Sequence, residues 1–219
     1  MKKIGIIGGT GDLGSGLALR WAKAGHHVTI GSRDAARASE VAETLSAANG
    51  LTIQGGANAD VATNAEIVVI AVPFSSHEKT IDSIESHLGG KIVVDVTVPL
   101  MPPKVRTVQL PEGGSVAKNL QARLGENVRV VSAFQNIAAA HLANLDHPID
   151  CDVLVSGNDK DARTDVIMLA EDADMKAWHA GRIDNSVVAE ALTSVLIFIN
   201  GHYKVPGAGI RIVAEPGGH

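Results

Sequence analysis

The stretch "IGIIGGTGDLGSG", residues 4–16, decides the fold, because in it an apolar run breaks into closely spaced glycines. Residues 2–8 have the composition of a buried β-strand, and an amphipathic pattern over residues 12–25 predicts a helix directly after the glycines. A glycine turn that joins a strand to a helix leaves helix amides beside the turn, where they can bind an anion. The sequence therefore predicts an anion-binding turn, although a purely structural turn would have the same local pattern.

Two overlapping motifs compete within the turn. The first, Gly9-x-Gly11-x-x-Gly14, is the dinucleotide-binding fingerprint: Gly9 permits the tight turn, Gly11 lets a pyrophosphate approach the backbone, and Gly14 lets helix and strand pack closely. The second runs from Thr10 to Gly16 and is typical of short-chain-type dehydrogenases, whose chemistry usually needs a Tyr-x-x-x-Lys pair. A glycine stands where that lysine should follow the only tyrosine of the chain. We therefore favour the first motif.

Strand-like and helix-like segments alternate through the rest of the chain. Further strands are predicted at "HHVTIGSR", "LTIQGG", "AEIVVIAVP", "KIVVDVTVP" and "NVRVVSAF", with room for a helix between them. Nearly continuous apolar strands separated by helices indicate a parallel sheet that is covered on both faces. The predicted fold class is α/β, a Rossmann-like doubly wound parallel sheet over residues 1–148 with a small C-terminal α/β lobe over residues 149–219.

The end of the second strand predicts which dinucleotide binds. An NAD site has an acidic side chain there for the ribose 2′-hydroxyl, whereas a 2′-phosphate needs cations and hydrogen-bond donors. This sequence offers Ser32, Arg33 and Arg37, and Asp34 between them is the predicted N-cap of the second helix. Arg37 would lie in the first turn of that helix, where a cation opposes the macrodipole unless an anion is close by. The predicted cofactor is therefore NADP(H), with two solvated surface arginines as the alternative.

Composition and charge exclude several other classes of protein. The chain has 219 residues, of which 45% are hydrophobic and 20% charged, as in an ordinary globular domain. Its formal net charge of −5 argues against a nucleic-acid partner, and no segment has the apolar length of a membrane span. The single cysteine excludes an internal disulfide, and the nine histidines have no metal-ligand spacing. We expect a cytoplasmic protein without a bound metal.

The whole chain resembles the F420:NADP oxidoreductases, reductases of the deazaflavin coenzyme F420 that use NADPH. The resemblance rests on "GGTGDLGSGLALRWAKAGH", "GSRD" with Arg37, "VVIAVPF", "VVSAFQNIAAAHLANLDHPIDCDVLVSGND", "NSVVAEALTSVLIFIN" and "KVPGAGIRI". The last three segments are much more specific to this family than the first three. Hydroxyacid and pyrroline carboxylate reductases have a similar first half, but their second domain is larger than the residues remaining here. The resemblance implies direct hydride transfer between C4 of the nicotinamide and C5 of the deazaflavin.

The resemblance also implies where the two coenzymes bind. The NADP(H) positions include the motif glycines, the pyrophosphate contacts, the 2′-phosphate contacts and residues near the ribose and nicotinamide: Gly9, Thr10, Gly11, Asp12, Leu13, Gly14, Ser32, Arg33, Arg37, Phe74, Val98 and Ala139. The F420 positions are carried over by place in the chain: Gln135, Asn136, Ile137, Ala138, Gly207, Ala208 and Gly209. Some members of the family have His-Thr-Ile-Pro at residues 135–138, so the resemblance implies backbone contacts for Gln135 and no proton relay.

No catalytic side chain is expected, because hydride transfer between two bound heterocycles requires orientation and exclusion of water rather than a nucleophile. Cys151 and His141 have no evident triad partner and are interpreted as structural. Two alternatives stay open: an NADPH-dependent reductase of another flavin, quinone or metal-chelate acceptor, and a non-catalytic NADP-sensing protein. The apolar last helix suggests a homo-oligomer, most simply a dimer, and the terminal "EPGGH", residues 215–219, is expected to be mobile.

Overall fold

The computed structural model of the protein describes residues 1–213, so the terminal "EPGGH" lies outside the described residues. The strands are β1 (Lys3–Ile7), β2 (His27–Ser32), β3 (Ile53–Ala57), β4 (Ile67–Ile70), β5 (Ile92–Asp95), β6 (Arg129–Ser132), β7 (Val153–Gly157) and β8 (Ala177–His179). The helices are α1 (Asp12–Lys23), α2 (Ala35–Asn49), α3 (Asn58–Asn64), α4 (Phe74–Ile84), α5 (Val116–Leu124), α6 (Ala139–Ala143), α7 (Lys160–Asp172) and α8 (Ser186–Tyr203).

One eight-stranded sheet has the order β3-β2-β1-β4-β5-β6-β7-β8. Its first six strands are parallel, which is the doubly wound arrangement, and the predicted fold class is confirmed. The strand order reverses between β1 and β4, and ligands of such sheets bind outside the carboxyl ends of the strands at that point. The fold therefore places a binding crevice where the glycine turn follows β1.

Two hydrophobic clusters cover the two faces of the sheet, which explains why the strands are nearly all apolar. On β1, Ile4 and Ile6 join the cluster that includes Trp21 of α1 and Val166 of α7. Ile7 points to the opposite face, into the cluster of α3, α4 and α5. Successive side chains of a strand alternate between faces, so strands buried on both sides carry apolar residues at every position.

The C-terminal residues continue this sheet rather than forming a sheet of their own. β7 pairs antiparallel with β6, and β8 pairs parallel with β7. α8 then packs against α5, where Glu190 accepts hydrogen bonds from the backbone N–H groups of Val116 and Ala117 at 2.8 and 3.1 Å. The predicted lobe therefore shares its sheet with the first part of the chain and reaches across to it through α8.

Local signals set both ends of the second helix, and its N-cap is the predicted one. The Asp34 carboxylate accepts from the N–H of Arg37 at 3.2 Å, so Asp34 is confirmed as the N-cap of α2. Gly50 follows that helix with φ of 64°, a left-handed conformation that favours glycine. The first helix ends at Lys23, and Gly25 follows it with φ of 87°, again in the left-handed conformation.

Candidate functional site

The glycine turn after β1 is hydrogen-bonded to the end of β2. The N–H groups of Gly8 and Gly9 both donate to the carbonyl of Gly31, at 3.0 and 3.2 Å. The left-handed backbone of the turn lies at Gly8, whose φ is 79°, and not at Gly9. Gly9 is needed for a different reason, because a Cβ there would meet Cβ of Ile30 at 2.6 Å. The turn thus needs two glycines where the motif predicts one.

Gly11 and Gly14 differ in what surrounds them. A Cβ on Gly14 would lie 2.7 Å from Cα of Gly9, so this residue lets the helix approach the turn, as predicted. A Cβ on Gly11 would meet only the carbonyl oxygen of Gly8, at 3.6 Å, and its other side is open. Gly11 is also the N-cap of α1 and offers no side chain to the helix amides. The open side and the uncapped amides fit a pyrophosphate that approaches the backbone.

The predicted 2′-phosphate residues line one small cleft beside the turn. The cleft has a volume of about 260 Å³, and its walls are Gly8, Thr10, Gly11, Ser32, Arg33, Arg37, Asn58, Ala71, Val72, Pro73, Ser76 and Thr80. Both arginine side chains are exposed, and neither forms an ion pair with a described residue. Asp34 is occupied by the helix cap, so no carboxylate competes for the arginines at this point. The two positive charges and the hydrogen-bond donors of this cleft fit a phosphate better than a free ribose diol.

The predicted nicotinamide residues lie at the carboxyl ends of three neighbouring strands. Phe74 begins α4 after β4, Val98 follows β5, and Ala139 begins α6 after β6. All three are half-buried, and β4, β5 and β6 are adjacent in the sheet. The structure therefore brings these three positions to one edge, next to the glycine turn.

Phe134, at the end of β6, is a strained position that sequence reasoning missed. Its φ is 72°, although it is not glycine, and its side chain is fully buried. The ring packs edge-on against Trp21 of α1, with ring centroids 5.8 Å apart. A bulky residue with positive φ persists only where the surroundings enforce it, and such strain concentrates at functional turns. This turn directs the chain from β6 into the predicted F420 segment.

The predicted F420 segment is largely buried. Gln135 donates through Nε2 to the Asp95 carbonyl at 2.8 Å and to Ser132 Oγ at 2.9 Å, and its own carbonyl accepts from Thr193 of α8. Asn136 donates through Nδ2 to the Asp152 carbonyl at 2.8 Å. Both side chains are 3% exposed, and their bonds link β5, β6 and the residue before β7, while the backbone carbonyl of Gln135 links the segment to α8. Ala138 is only half-buried and is the member of this segment that reaches the surface.

The C-terminal glycines lie against that segment. A Cβ on Gly207, whose φ is 74°, would meet the His141 ring and, at 2.8 Å, Cβ of Ala138. A Cβ on Gly209 would meet Sγ of Cys151 at 2.5 Å. The N–H of Ala208 donates to Oδ1 of Asn200 at 2.7 Å, which ties this tail to the end of α8. The two halves of the predicted F420 site, more than sixty residues apart in sequence, are therefore in contact.

His141 and Cys151 take structural places, in agreement with their interpretation. His141 packs against Gly207, and its ring centroid lies 4.6 Å from that of His147 with the two rings tilted at 45°. Cys151 accepts from Nδ2 of Asn136 at 3.2 Å, and burial raises the pKa of its thiol, which makes a thiolate nucleophile unfavourable. Neither residue is placed as an acid, base or nucleophile.

Behind the site lies a buried polar network that the sequence pattern did not reveal. Nε2 of His77 lies 2.8 Å from the Asp95 carboxylate, and both side chains are buried. Nearby, Glu190 accepts from Ser115 at 2.8 Å as well as from the first amides of α5, and burial raises its pKa to about 7. These residues come from α4, β5, α5 and α8, so only the fold brings them together. The His77–Asp95 pair joins α4 to the end of β5, and Glu190 joins α8 to the start of α5.

Comparison with known proteins reveals extensive similarity. Residues 3–99 match the family model described as NADP oxidoreductase, coenzyme F420-dependent. The F420-dependent NADP reductase of Methanocaldococcus jannaschii is 42% identical over 96% of this chain and 97% of its own, and that of Methanothermobacter thermautotrophicus is 38% identical over 99% and 97%. A solved structure from Arthrobacter sp. FB24, assigned as an F420-dependent NADP reductase, is 28% identical with a TM-score of 0.82, over 98% of this chain and 100% of that one.

Proposed function

Because the chain belongs to the F420-dependent NADP reductase family, we propose that it transfers a hydride directly between NADPH, at C4 of the nicotinamide, and F420, at C5 of the deazaflavin. The observation that carries the proposal is that the similarity covers nearly the whole chain, from the glycine turn after β1 to the C-terminal glycines, which lie against the segment after β6. It is an enzyme with two coenzyme substrates, NADP(H) and F420, and not a sensor.

The residues of the proposed site divide into three tasks. The amides after Gly11 would hold the pyrophosphate, and Ser32, Arg33 and Arg37 would hold the 2′-phosphate. Phe74, Val98 and Ala139 would place the nicotinamide at the edge of β4, β5 and β6. This placement supports residues 1–148 as the NADP(H)-binding part of the chain.

The deazaflavin would lie where Ala138 meets Gly207, with residues 149–219 completing its site. Because Gly207 has no side chain, the ring of His141 lies close to the backbone of residues 207–209. Ala138 presents only a methyl group. When both coenzymes are bound, they supply the hydride donor and acceptor, and the chain contributes orientation and exclusion of water. For Gln135, where some relatives have histidine, its buried side-chain bonds support a positioning role through the backbone rather than a proton relay.

The first test follows the visible absorbance of oxidised F420. We expect rapid bleaching when the protein and NADPH are added together, and much slower bleaching with NADH. Only NADPH carries the 2′-phosphate that Arg33 and Arg37 are expected to bind. Stopped-flow or steady-state absorbance measures both rates. Demonstrable NADPH binding without bleaching of F420 would contradict the proposed acceptor and leave the dinucleotide assignment standing.

We infer that α8 also mediates self-association. The side chains of Val188, Val195 and Phe198 are 57%, 44% and 51% exposed on this helix, which is apolar on nearly all sides. An exposed apolar stripe of this kind favours association with a second copy. Sedimentation of the intact protein checks this inference, which a monomer at micromolar concentration would contradict.

We infer a cytoplasmic location from the contacts that the same helix makes within the fold. By length and composition alone, the helical segment Ile183–Tyr203 could cross a membrane. Within the fold, however, its Glu190 and Thr193 hydrogen-bond to α5 and to the turn after β6. These bonds make the helix part of the site. Fractionation of cells into membrane and supernatant tests the inference.

A further inference from the structure

We propose that the buried pair of His77 and Asp95 positions the nicotinamide for hydride transfer, by fixing the two turns that carry Phe74 and Val98. The inference rests on the proposed function, because it concerns how the same two rings are aligned. His77 is 6% exposed and Asp95 is 0% exposed, so the pair would act through the backbone of these turns and not by touching a coenzyme. Both are therefore positioning residues.

A carboxylate at the end of β5 needs an explanation. The strand reads Ile-Val-Val-Asp, and all four of its residues are buried. Removing a carboxylate from water is costly unless hydrogen bonds and an opposite charge compensate for it. A pair of apolar side chains of similar volume often gives equal or greater stability than a buried ion pair. Stability alone therefore does not account for Asp95, whereas a need for fixed geometry does.

Asp95 lies at the centre of the sheet edge where the nicotinamide is proposed to bind. Its neighbours in register are Ile70 and Ser132, which are the last residues of β4 and β6. The backbone carbonyl of Asp95 accepts from Nε2 of Gln135 at 2.8 Å, so the segment after β6 is bonded to the same residue. Asp95 is thus placed among the three turns that follow β4, β5 and β6.

The side chain of Asp95 makes one bond to each of the other two turns. Its Oδ2 lies 2.8 Å from Nε2 of His77, which follows Phe74 by three residues on α4. Its Oδ1 accepts from the N–H of Thr97 at 2.9 Å, directly before Val98. Within residues 1–213 the hydroxyl of Thr97 makes no hydrogen bond, so this turn depends on the bond from its N–H to the carboxylate.

The charge of the pair strengthens the bond between α4 and β5. Burial by itself lowers the pKa of His77, but the hydrogen bond and the charge of Asp95 outweigh burial, with smaller contributions from Glu78 and Glu190. The pKa of His77 is therefore raised, which favours the imidazolium form. A hydrogen bond between two charged groups is shorter and stronger than a neutral one, so it restricts the turn more closely.

The test replaces the pair by apolar side chains of similar size in His77→Leu/Asp95→Val. We expect the single-turnover rate of hydride transfer from NADPH to F420 to fall about ten- to thirtyfold, because small displacements of reacting atoms can cost about a hundredfold. The Kd for NADPH should stay within about threefold, since the phosphate contacts lie elsewhere. The Tm should stay within about 5 °C of the wild type. Stopped-flow absorbance, fluorescence titration and calorimetry measure these quantities, and deuterium at C4 of NADPH identifies the hydride step.

Two further variants and a control separate positioning from stability. His77→Gln keeps an N–H donor in the place of Nε2 and should transfer hydride within about threefold of the wild-type rate. His77→Leu/Asp95→Asn keeps the acceptor for the Thr97 N–H and breaks only the link to α4, so its rate should be intermediate. Ile53→Ala leaves a cavity on β3, four strands away from β5, and should lower Tm without changing the rate.

Three results would overturn the positioning role. They are a folded His77→Leu/Asp95→Val protein with a rate within about twofold of the wild type, a higher Kd for NADPH at an unchanged rate, and a His77→Gln protein that loses as much rate as the apolar double variant. A wild type that binds NADPH but does not bleach F420 would instead contradict the proposed function. The two failures therefore give different results.

Discussion

Replacing Arg33 by alanine is expected to raise the KM for NADPH about ten- to a hundred-fold, because a hydrogen bond to a charged group contributes roughly 1.5–3 kcal/mol. Arg33 is exposed in the cleft beside the glycine turn, next to Ser32 and Arg37, and forms no ion pair with a described residue. The guanidinium group of Arg33 therefore has no charged partner among the described residues that would compete with the 2′-phosphate. Steady-state kinetics with F420 held at saturation measures the change.

Two controls make the Arg33 result specific. The KM for NADH, which lacks the 2′-phosphate, should change less than twofold in the same variant, and Lys160→Ala should leave the KM for NADPH unchanged although it removes the same charge. A parallel loss of affinity for NADPH and NADH would mean that Arg33 supports the fold of the β2 end. In that case the 2′-phosphate assignment would be wrong.

The parts of the fold that the sequence predicts are those that local signals set. The strand, glycine turn and helix at residues 4–16 are contiguous, and so are Asp34 and the amide that it caps. The alternation of apolar strands and helices then indicates a doubly wound sheet, because only burial on both faces explains strands without polar positions. The cluster of Ser32, Arg33 and Arg37 can also be recognised in the sequence, because its residues are close together at the end of β2 and the start of α2.

The parts that the sequence did not predict depend on contacts between distant residues. The pattern could not tell that the left-handed turn residue is Gly8 while Gly9 makes room for Ile30, since that depends on how close β2 lies. Nor could it reveal that β7 runs antiparallel beside β6 and extends the first sheet. A strand of apolar residues reads the same in either direction, and the choice depends on long-range packing.

The buried polar groups near the site could not be predicted from the sequence either. In the sequence, Gln135 stands where some members of the family have histidine, and nothing nearby shows that its side chain is buried and bonded to Asp95 and Ser132. Glu190 and His77 belong to helices with ordinary patterns, and nothing nearby in sequence indicates that they face the same interior region. A buried charge can be recognised only when its partners are known, because burial is tolerated only with hydrogen bonds.

Arg20 is the clearest case of a role that emerges only from the fold. It lies on α1 with 2% of its surface exposed, and five backbone carbonyl oxygens surround its guanidinium within 3.3 Å. Four of these carbonyls belong to the segment from His141 to His147, and the fifth to Ala173. Burial lowers the pKa of Arg20, and the charge of Asp174, 3.8 Å away, opposes that shift. The side chain fastens the segment after α6 to the helix that carries the glycine turn.

Arg20→Met is therefore expected to lower the free energy of unfolding by about 3–5 kcal/mol, because methionine replaces the aliphatic part of the side chain but not the guanidinium, and leaves buried carbonyls without a donor. For a chain of this length that corresponds to a fall in Tm of roughly 10 °C. Arg20→Lys should be intermediate, since one ammonium keeps the charge but cannot reach all five oxygens. Arg182→Met, which removes an arginine that is 75% exposed, serves as the matched control and should change Tm by less than about 2 °C. Calorimetry at pH 7 measures all three. An Arg20→Met protein that melts with the wild type would mean that water can replace the arginine at these carbonyls, so that α1 does not depend on it to hold the segment from Ala139 to His147 beside the coenzyme site.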